Sequence, residues 1–202
     1  MKKAVGYLLV FLILMFTITC GSNTGPSVAT IEWEPDGNGF RQFRTNDPTW
    51  KGWTFWYYLG GSYQATMSTV ETEVKKVSGS SAGGLGLIFC FQDHDNFYVY
   101  GINVNGDYAV FERYGGSWYT IIDWTYSADV YTGFNVLNTL KVTYNGIDTF
   151  TLYVNGIEID SFTDSDFSGG YSGYECYISS SADFPEIAED FRFNQLLPST
   201  NP

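Results

Sequence analysis

An all-β fold is what this sequence predicts, and three observations predict it. Aromatic residues make up 19% of the 202 residues, while charged residues make up only 16%. The chain carries 22 glycines, which suits short strands joined by tight turns better than helices. Beyond the N-terminal leader, apolar side chains recur every second residue, and no segment carries the 3.6-residue period of a helix.

The central stretch from Gly83 to Trp124 reads as a four-strand antiparallel meander. Leu85, Leu87, Phe89 and Phe91 alternate along its first run, and Asp93-His94-Asp95-Asn96 breaks that run with residues that prefer turns. Phe97 to Val104 forms the second strand. Asn105-Gly106-Asp107 supplies a hairpin turn, Tyr108 to Tyr114 the third strand, Gly115-Gly116 another turn and Ser117 to Trp124 the fourth strand. If Tyr98, Tyr100 and Tyr108 project from the open face, parity sends Phe97, Val99, Ala109 and Phe111 into the sandwich.

The N-terminus has a different character. Lys2 and Lys3 precede an apolar run, Ala4 to Ile18, which is short for a membrane span and right for a signal sequence. Cys20 follows at once, before the polar stretch Gly21-Ser22-Asn23-Thr24-Gly25-Pro26. This arrangement resembles a bacterial lipobox, with Thr17 and Thr19 as departures from the usual residues. Residues 1–19 are therefore expected to be a lipoprotein signal peptide, Cys20 the lipidated residue, and 20–30 a flexible tether. Residues 31–197 then form one domain, with 198–202 as a tail. Gly21 after the cysteine favours the outer membrane or cell surface, with the lipid as the sole membrane attachment.

Around the meander, residues 31–59 are aromatic and irregular, with Trp33, Trp50, Trp53 and Trp56 placed to seal one end of a sandwich or to stack on sugars. Ala65 to Val77 alternates Val70, Thr72 and Val74 against Glu71, Glu73 and Lys75, as a half-exposed strand does. Asn138 to Tyr144, Thr149 to Val154 and the hairpin through Asn155-Gly156 follow, then Tyr171 to Ser179 and Ile187 to Phe193. Cys90 and Cys176 lie in strands, and the sequence leaves open whether they bond. A net charge of −12 leaves no basic stripe for nucleic acid.

The ordered set GGLGLIFCFQDHDNFYVYGI, NGDYAVFERY, GGSWYTII, NTLKV, FTLYVNG, GGYSGYECYIS and AEDFRF resembles the concanavalin A-like lectin/glucanase superfamily. It is most similar to laminin G-like and 3-keto-disaccharide hydrolase-type domains, over residues 60–194. The resemblance implies a two-sheet antiparallel jelly-roll sandwich with its first and last strands paired. Cys90, Gly101 and Glu189-Asp190 depart from the usual pattern.

Glu158-Ile159-Asp160 resembles part of the E-x-D-x-x-E string of laminarinase-like hydrolases, but Ser161, Phe162 and Thr163 follow, so the second glutamate is missing. His94 is the only histidine, which excludes a multi-histidine zinc site. Asp160, Asp164 and Asp166 form one oxygen-rich turn and Asp93, Asp95 and Asn96 another; calcium is the ion such turns would take. Tyr98, Tyr100, Tyr108, Trp118 and Trp124, with Arg113 and Asn103 beside them, supply the flat rings and hydrogen-bonding groups that a saccharide requires. The expectation is a monomeric, non-catalytic recognition module for a glycan or cell-surface partner. Its alternative is a glycoside hydrolase or related enzyme acting on disaccharides or polysaccharides.

Overall fold

The computed structural model of the chain describes residues 34–58, 68–184, 186–194 and 197–198. The signal peptide, Cys20, the tether, Trp33 and residues 199–202 lie outside the described residues. The period-two pattern becomes β1 Glu34–Pro35, β2 Phe40–Thr45, β3 Thr54–Tyr58, β4 Thr69–Ser78, β5 Gly84–Asp93, β6 Asn96–Asn103 and β7 Asp107–Tyr114. It continues through β8 Ser117–Tyr126, β9 Asn138–Tyr144, β10 Thr149–Val154, β11 Ile157–Thr163, β12 Tyr171–Tyr177, β13 Glu189–Asn194 and β14 Leu197–Pro198. A 3₁₀ turn, Pro48–Trp50, is opened by Asp47, whose carboxylate accepts a hydrogen bond from the Thr49 backbone N–H.

These strands form two antiparallel sheets. One runs β1-β2-β13-β4-β9-β10-β11, with β14 added on β4, and the other runs β3-β12-β5-β6-β7-β8. The architecture is an all-β jelly-roll sandwich, and β2 near its start pairs with β13 near its end, as the resemblance implied. The β10–β11 hairpin forms because Asn155 and Gly156 both adopt positive φ, 52° and 83°, the backbone that a two-residue turn requires.

One core lies between the sheets. Leu85, Leu87 and Phe89 of β5 share it with Leu140, Val142, Phe150 and Leu152 from the facing sheet, all at most 2% exposed. Phe89, Phe150 and Phe162 meet with ring centroids 5.0 to 6.4 Å apart. Each such side chain stabilises the fold by about 1.5–3 kcal/mol through burial.

The alternation of β4 carries one surprise, because its inward row Val70, Thr72 and Val74 ends on Lys76. Its ammonium lies 2.7 Å from the Glu189 carboxylate, with both side chains fully buried, and it also donates to the Ser80 carbonyl. Burial pulls its pKa down, against the attraction of Glu189. Breaking such a pair would leave an uncompensated buried charge.

The two strand cysteines are free and buried. Cys176 on β12 pairs with Leu85 on β5, so Cys90 sits five residues further along that neighbouring strand. That is roughly 16 Å at the strand rise, far beyond the reach of a disulfide.

Candidate functional site

The structure reverses the expected parity of β6 and β7. Tyr98 and Tyr100 are fully buried and Tyr108 is nearly so, all within the inter-sheet core. Phe97 and Val99 lie on the outer face of the six-stranded sheet, in a second cluster with Ile88 and Phe91. The tyrosines can face inward because each hydroxyl has a partner across the sandwich. Tyr98 donates to Asp164 at 2.7 Å, Tyr100 to the Tyr153 carbonyl at 3.3 Å and Tyr108 to Asp160 at 2.8 Å. A buried hydroxyl that keeps a hydrogen bond avoids the desolvation penalty that would otherwise drive it outward. Tyr98, Tyr100 and Tyr108 are therefore struts between the sheets and do not form a sugar platform.

The outer face of that sheet holds the site instead. A cleft of about 330 Å³ opens there, walled by Phe111, Trp118 and Trp124 and floored by Gly84, Gly101 and Glu175. Its depth comes from missing side chains. Glu175 pairs with Gly86, which in turn pairs with Gly101, so two adjacent strands present only backbone. A Cβ on Gly86 would come 2.5 Å from the Tyr100 carbonyl oxygen, while one on Gly101 would meet nothing closer than 3.8 Å. Gly86 is thus required by the backbone, whereas Gly101 leaves space. Trp124 lies over Gly84 and meets Phe111 edge-on at 5.9 Å. Trp118 and Trp124 keep 41% and 39% of their surface exposed, enough to receive a ligand.

Among the described residues, Glu175 is the only charged one lining this cleft. It is 6% exposed, and burial alone pushes its carboxyl up to about 8. Among the described residues no hydrogen-bond donor or cation reaches it. In the sequence it is a single acid between Tyr174 and Cys176, and that was the signal available for it.

Beside the cleft the same face is sealed. Trp56, Tyr58 and Tyr171 cover Ile88, Phe91, Phe97 and Val99. Arg113 stacks between Trp56 and Trp118, with its guanidinium carbon 5.3 Å from each ring. Its Nε donates to the His94 carbonyl at 2.8 Å, and its Nη2 lies 3.3 Å from Asp95. Arg113 consequently fixes the wall residue Trp118 and spends its own donors on the neighbouring turn. His94 accepts a hydrogen bond at Nδ1 from the Trp56 indole, 3.0 Å away. Asn103 binds Asp107 within its own hairpin. Of the expected saccharide residues, Trp118 and Trp124 line the cleft and Arg113 adjoins it.

The acidic residues regroup as well. Asp164 and Asp166 converge with Glu112, each offering an oxygen within 4.8 Å of the others. Asp160 is spent on Tyr108 and takes no part. Glu112 Oε1 is buried without a partner, and its carboxyl is raised to about 7 by burial and by the charges of Asp164 and Asp166. Such a trio suits a shared proton or a hard cation, and Glu112, Asp164 and Asp166 are the residues that would hold it. Glu158 and Asp160, expected side by side, are split by a register shift between Leu152 and Tyr153. Glu158 lies by the outward Tyr153 hydroxyl, whereas Asp160 turns inward to Tyr108. The two carboxylates face opposite sides of the strand and cannot flank one bond.

No family model matches the chain, and no curated protein matches it in sequence. Solved structures do match in fold. The carbohydrate binding module CBM66 from Bacillus subtilis superposes with a TM-score of 0.54 at 17% identity, covering 72% of this chain and 94% of that one. A tetrameric galectin from the ball sponge Cinachyrella sp. gives 0.46 at 17% identity, covering 72% and 98%. A Caenorhabditis elegans galectin gives 0.41 at 14%, covering 69% and 96%. The likeness to the carbohydrate binding module, at 17% identity, establishes the sandwich fold and no more.

Proposed function

We propose that this protein is an exported, lipid-anchored recognition module that binds carbohydrate in the cleft on the outer face of its six-stranded sheet. The observation that carries the reading is the cleft itself, where Phe111, Trp118 and Trp124 stand around a floor emptied of side chains. Sugar rings present C–H faces that pack on aromatic rings, while their hydroxyls need a polar group at the base. Glu175 supplies that group, and its raised pKa leaves it able to donate as well as accept near neutral pH. The fold it shares with a carbohydrate binding module is consistent with this role. The divergence of Glu158 and Asp160 favours binding over hydrolysis, since glycoside cleavage needs two carboxyl groups across one bond.

The test is a glycan array probed with the purified chain, followed by titration of each hit against Trp118→Ala and Trp124→Ala. Binding that falls at least tenfold in both variants supports the cleft. Binding that survives both moves the ligand elsewhere, and an array without hits on the folded protein removes the carbohydrate reading.

A further inference from the structure

The carbohydrate reading does not say which sugars the cleft prefers, and the charge inventory of its walls does. A glutamate that is only 6% exposed would ordinarily carry a matching cation or a set of donors. Glu189 in this same molecule shows the rule, since Lys76 stands 2.7 Å from it. Glu175 has no such partner among the described residues, and Arg113, which adjoins the cleft, is engaged with His94 and Asp95. The aromatic residues that line the same cleft are Phe111, Trp118 and Trp124. Aromatic walls around an unpaired acid form an arrangement that attracts organic cations, because ring faces and carboxylate draw positive charge to the same point. The chain as a whole, at net −12, adds a field of the same sign.

We infer that the cleft selects glycans carrying a free, protonated amino group, with Glu175 as the counter-charge and the Trp118 and Trp124 rings as the cation's aromatic walls. This rests on the carbohydrate reading of the same cleft and narrows it to amino sugars. An N-acetylated sugar has the same ring and the same size class but no charge, so it forfeits the ion pair while keeping the stacking. As the ammonium enters, Glu175 releases its proton to solvent, and the bound complex holds a carboxylate against an ammonium. Proton release on binding is therefore a signature that stacking alone would not give.

The experiment compares a glucosamine tetramer with its fully N-acetylated counterpart, by calorimetric titration of the purified full chain at low salt and about pH 5.5, where the sugar amines are protonated, in two buffers of different ionisation enthalpy. The expected result is at least tenfold tighter binding of the free amine, with protons released, and a difference between the two tetramers that disappears in Glu175→Gln. The comparison of the two ligands needs no variant, so it decides the matter even if Glu175→Gln does not fold. Equal or tighter binding of the acetylated tetramer overturns the amine preference and leaves the carbohydrate reading standing. Binding of tetramethylammonium, but of no sugar of either kind, keeps the cation box and overturns the carbohydrate reading. Absence of binding by all three overturns both.

Discussion

The two ends of one sheet face differ more from each other than the two sheets do. At one end Ile88, Phe91 and Phe97 rise from β5 and β6 and are roofed by Trp56, Tyr58 and Tyr171. At the other end the same strands carry Gly84, Gly86 and Gly101, and the rings of Trp118 and Trp124 stand around a hollow. Backbone pairing is continuous across both ends, so the strand geometry does not distinguish them. Side-chain volume alone decides that one end is a second core and the other a place for a ligand. The lesson is that a binding face can be made by omission, through glycines in strands, at the cost of the packing those positions would have given.

The comparison can be broken most forcefully from beneath. Tyr98→Ala removes a fully buried ring and its hydrogen bond to Asp164, and should cost about 3–5 kcal/mol in denaturant unfolding. A cost under about 1 kcal/mol would show that the inward parity is wrong. The next effect comes from pH. The Glu175 and Glu112 carboxyls lie at about 8 and about 7 in the fold, raised from 4.5. Between those values the folded chain holds protons that the unfolded chain releases, so this contribution is complete below about pH 4.5 and is lost as pH rises through about 8. Stability should fall by about 2–4 kcal/mol from pH 5 to pH 8.5, and Glu175→Gln should flatten much of that slope. A flat profile in the parent chain would place Glu175 in contact with water.

At the sealed end, Trp56→Ala should cost about 2 kcal/mol by uncovering Phe97 and releasing His94 and Arg113. At the open end the smallest stability change should accompany a large functional one. A Cβ at Gly101 makes only ordinary contacts, with the Leu85 carbonyl oxygen at 3.8 Å and the Trp124 ring at 3.9 Å, so Gly101→Leu should fill the cleft and alter stability by less than about 1 kcal/mol. It should nevertheless weaken any cleft ligand at least tenfold. A Gly101→Leu protein that binds as before would show that the hollow is not where the ligand sits.

Much of this fold was legible in the sequence, because alternation and turn residues act locally. The hairpins at Asn105-Gly106-Asp107, Gly115-Gly116 and Asn155-Gly156 join the strands they were expected to join. The face of β6 was not legible from alternation, since Phe97 and Val99 are as apolar as Tyr98 and Tyr100 and either row could line a core. Placing Tyr98, Tyr100 and Tyr108 outward as rings for a saccharide pointed the wrong way, because hydroxyl partners such as Asp160 and Asp164 come from more than fifty residues downstream and no local rule anticipates them. A better tie-breaker stood in β5. There Gly84 and Gly86 alternate with Leu85 and Leu87, and a row of glycines cannot be the row that fills a core. The same reasoning applied to Glu175 between Tyr174 and Cys176 marks the outer face of β12. Lys76 and Glu189 were hidden for a different reason, since each needs the other and they come from strands more than a hundred residues apart.

The separation of Cys90 from Cys176 has a practical corollary. A thiol is modified through its thiolate, and burial pushes Cys90 up to about 12 and holds Cys176 well above the ordinary thiol value. Both should be inert to alkylating reagents while the sandwich is intact and should react when it opens. The molecule thus carries two internal reporters of its own opening, one on β5 and one on β12, and their relative labelling rates would show whether these neighbouring strands come apart together or in turn.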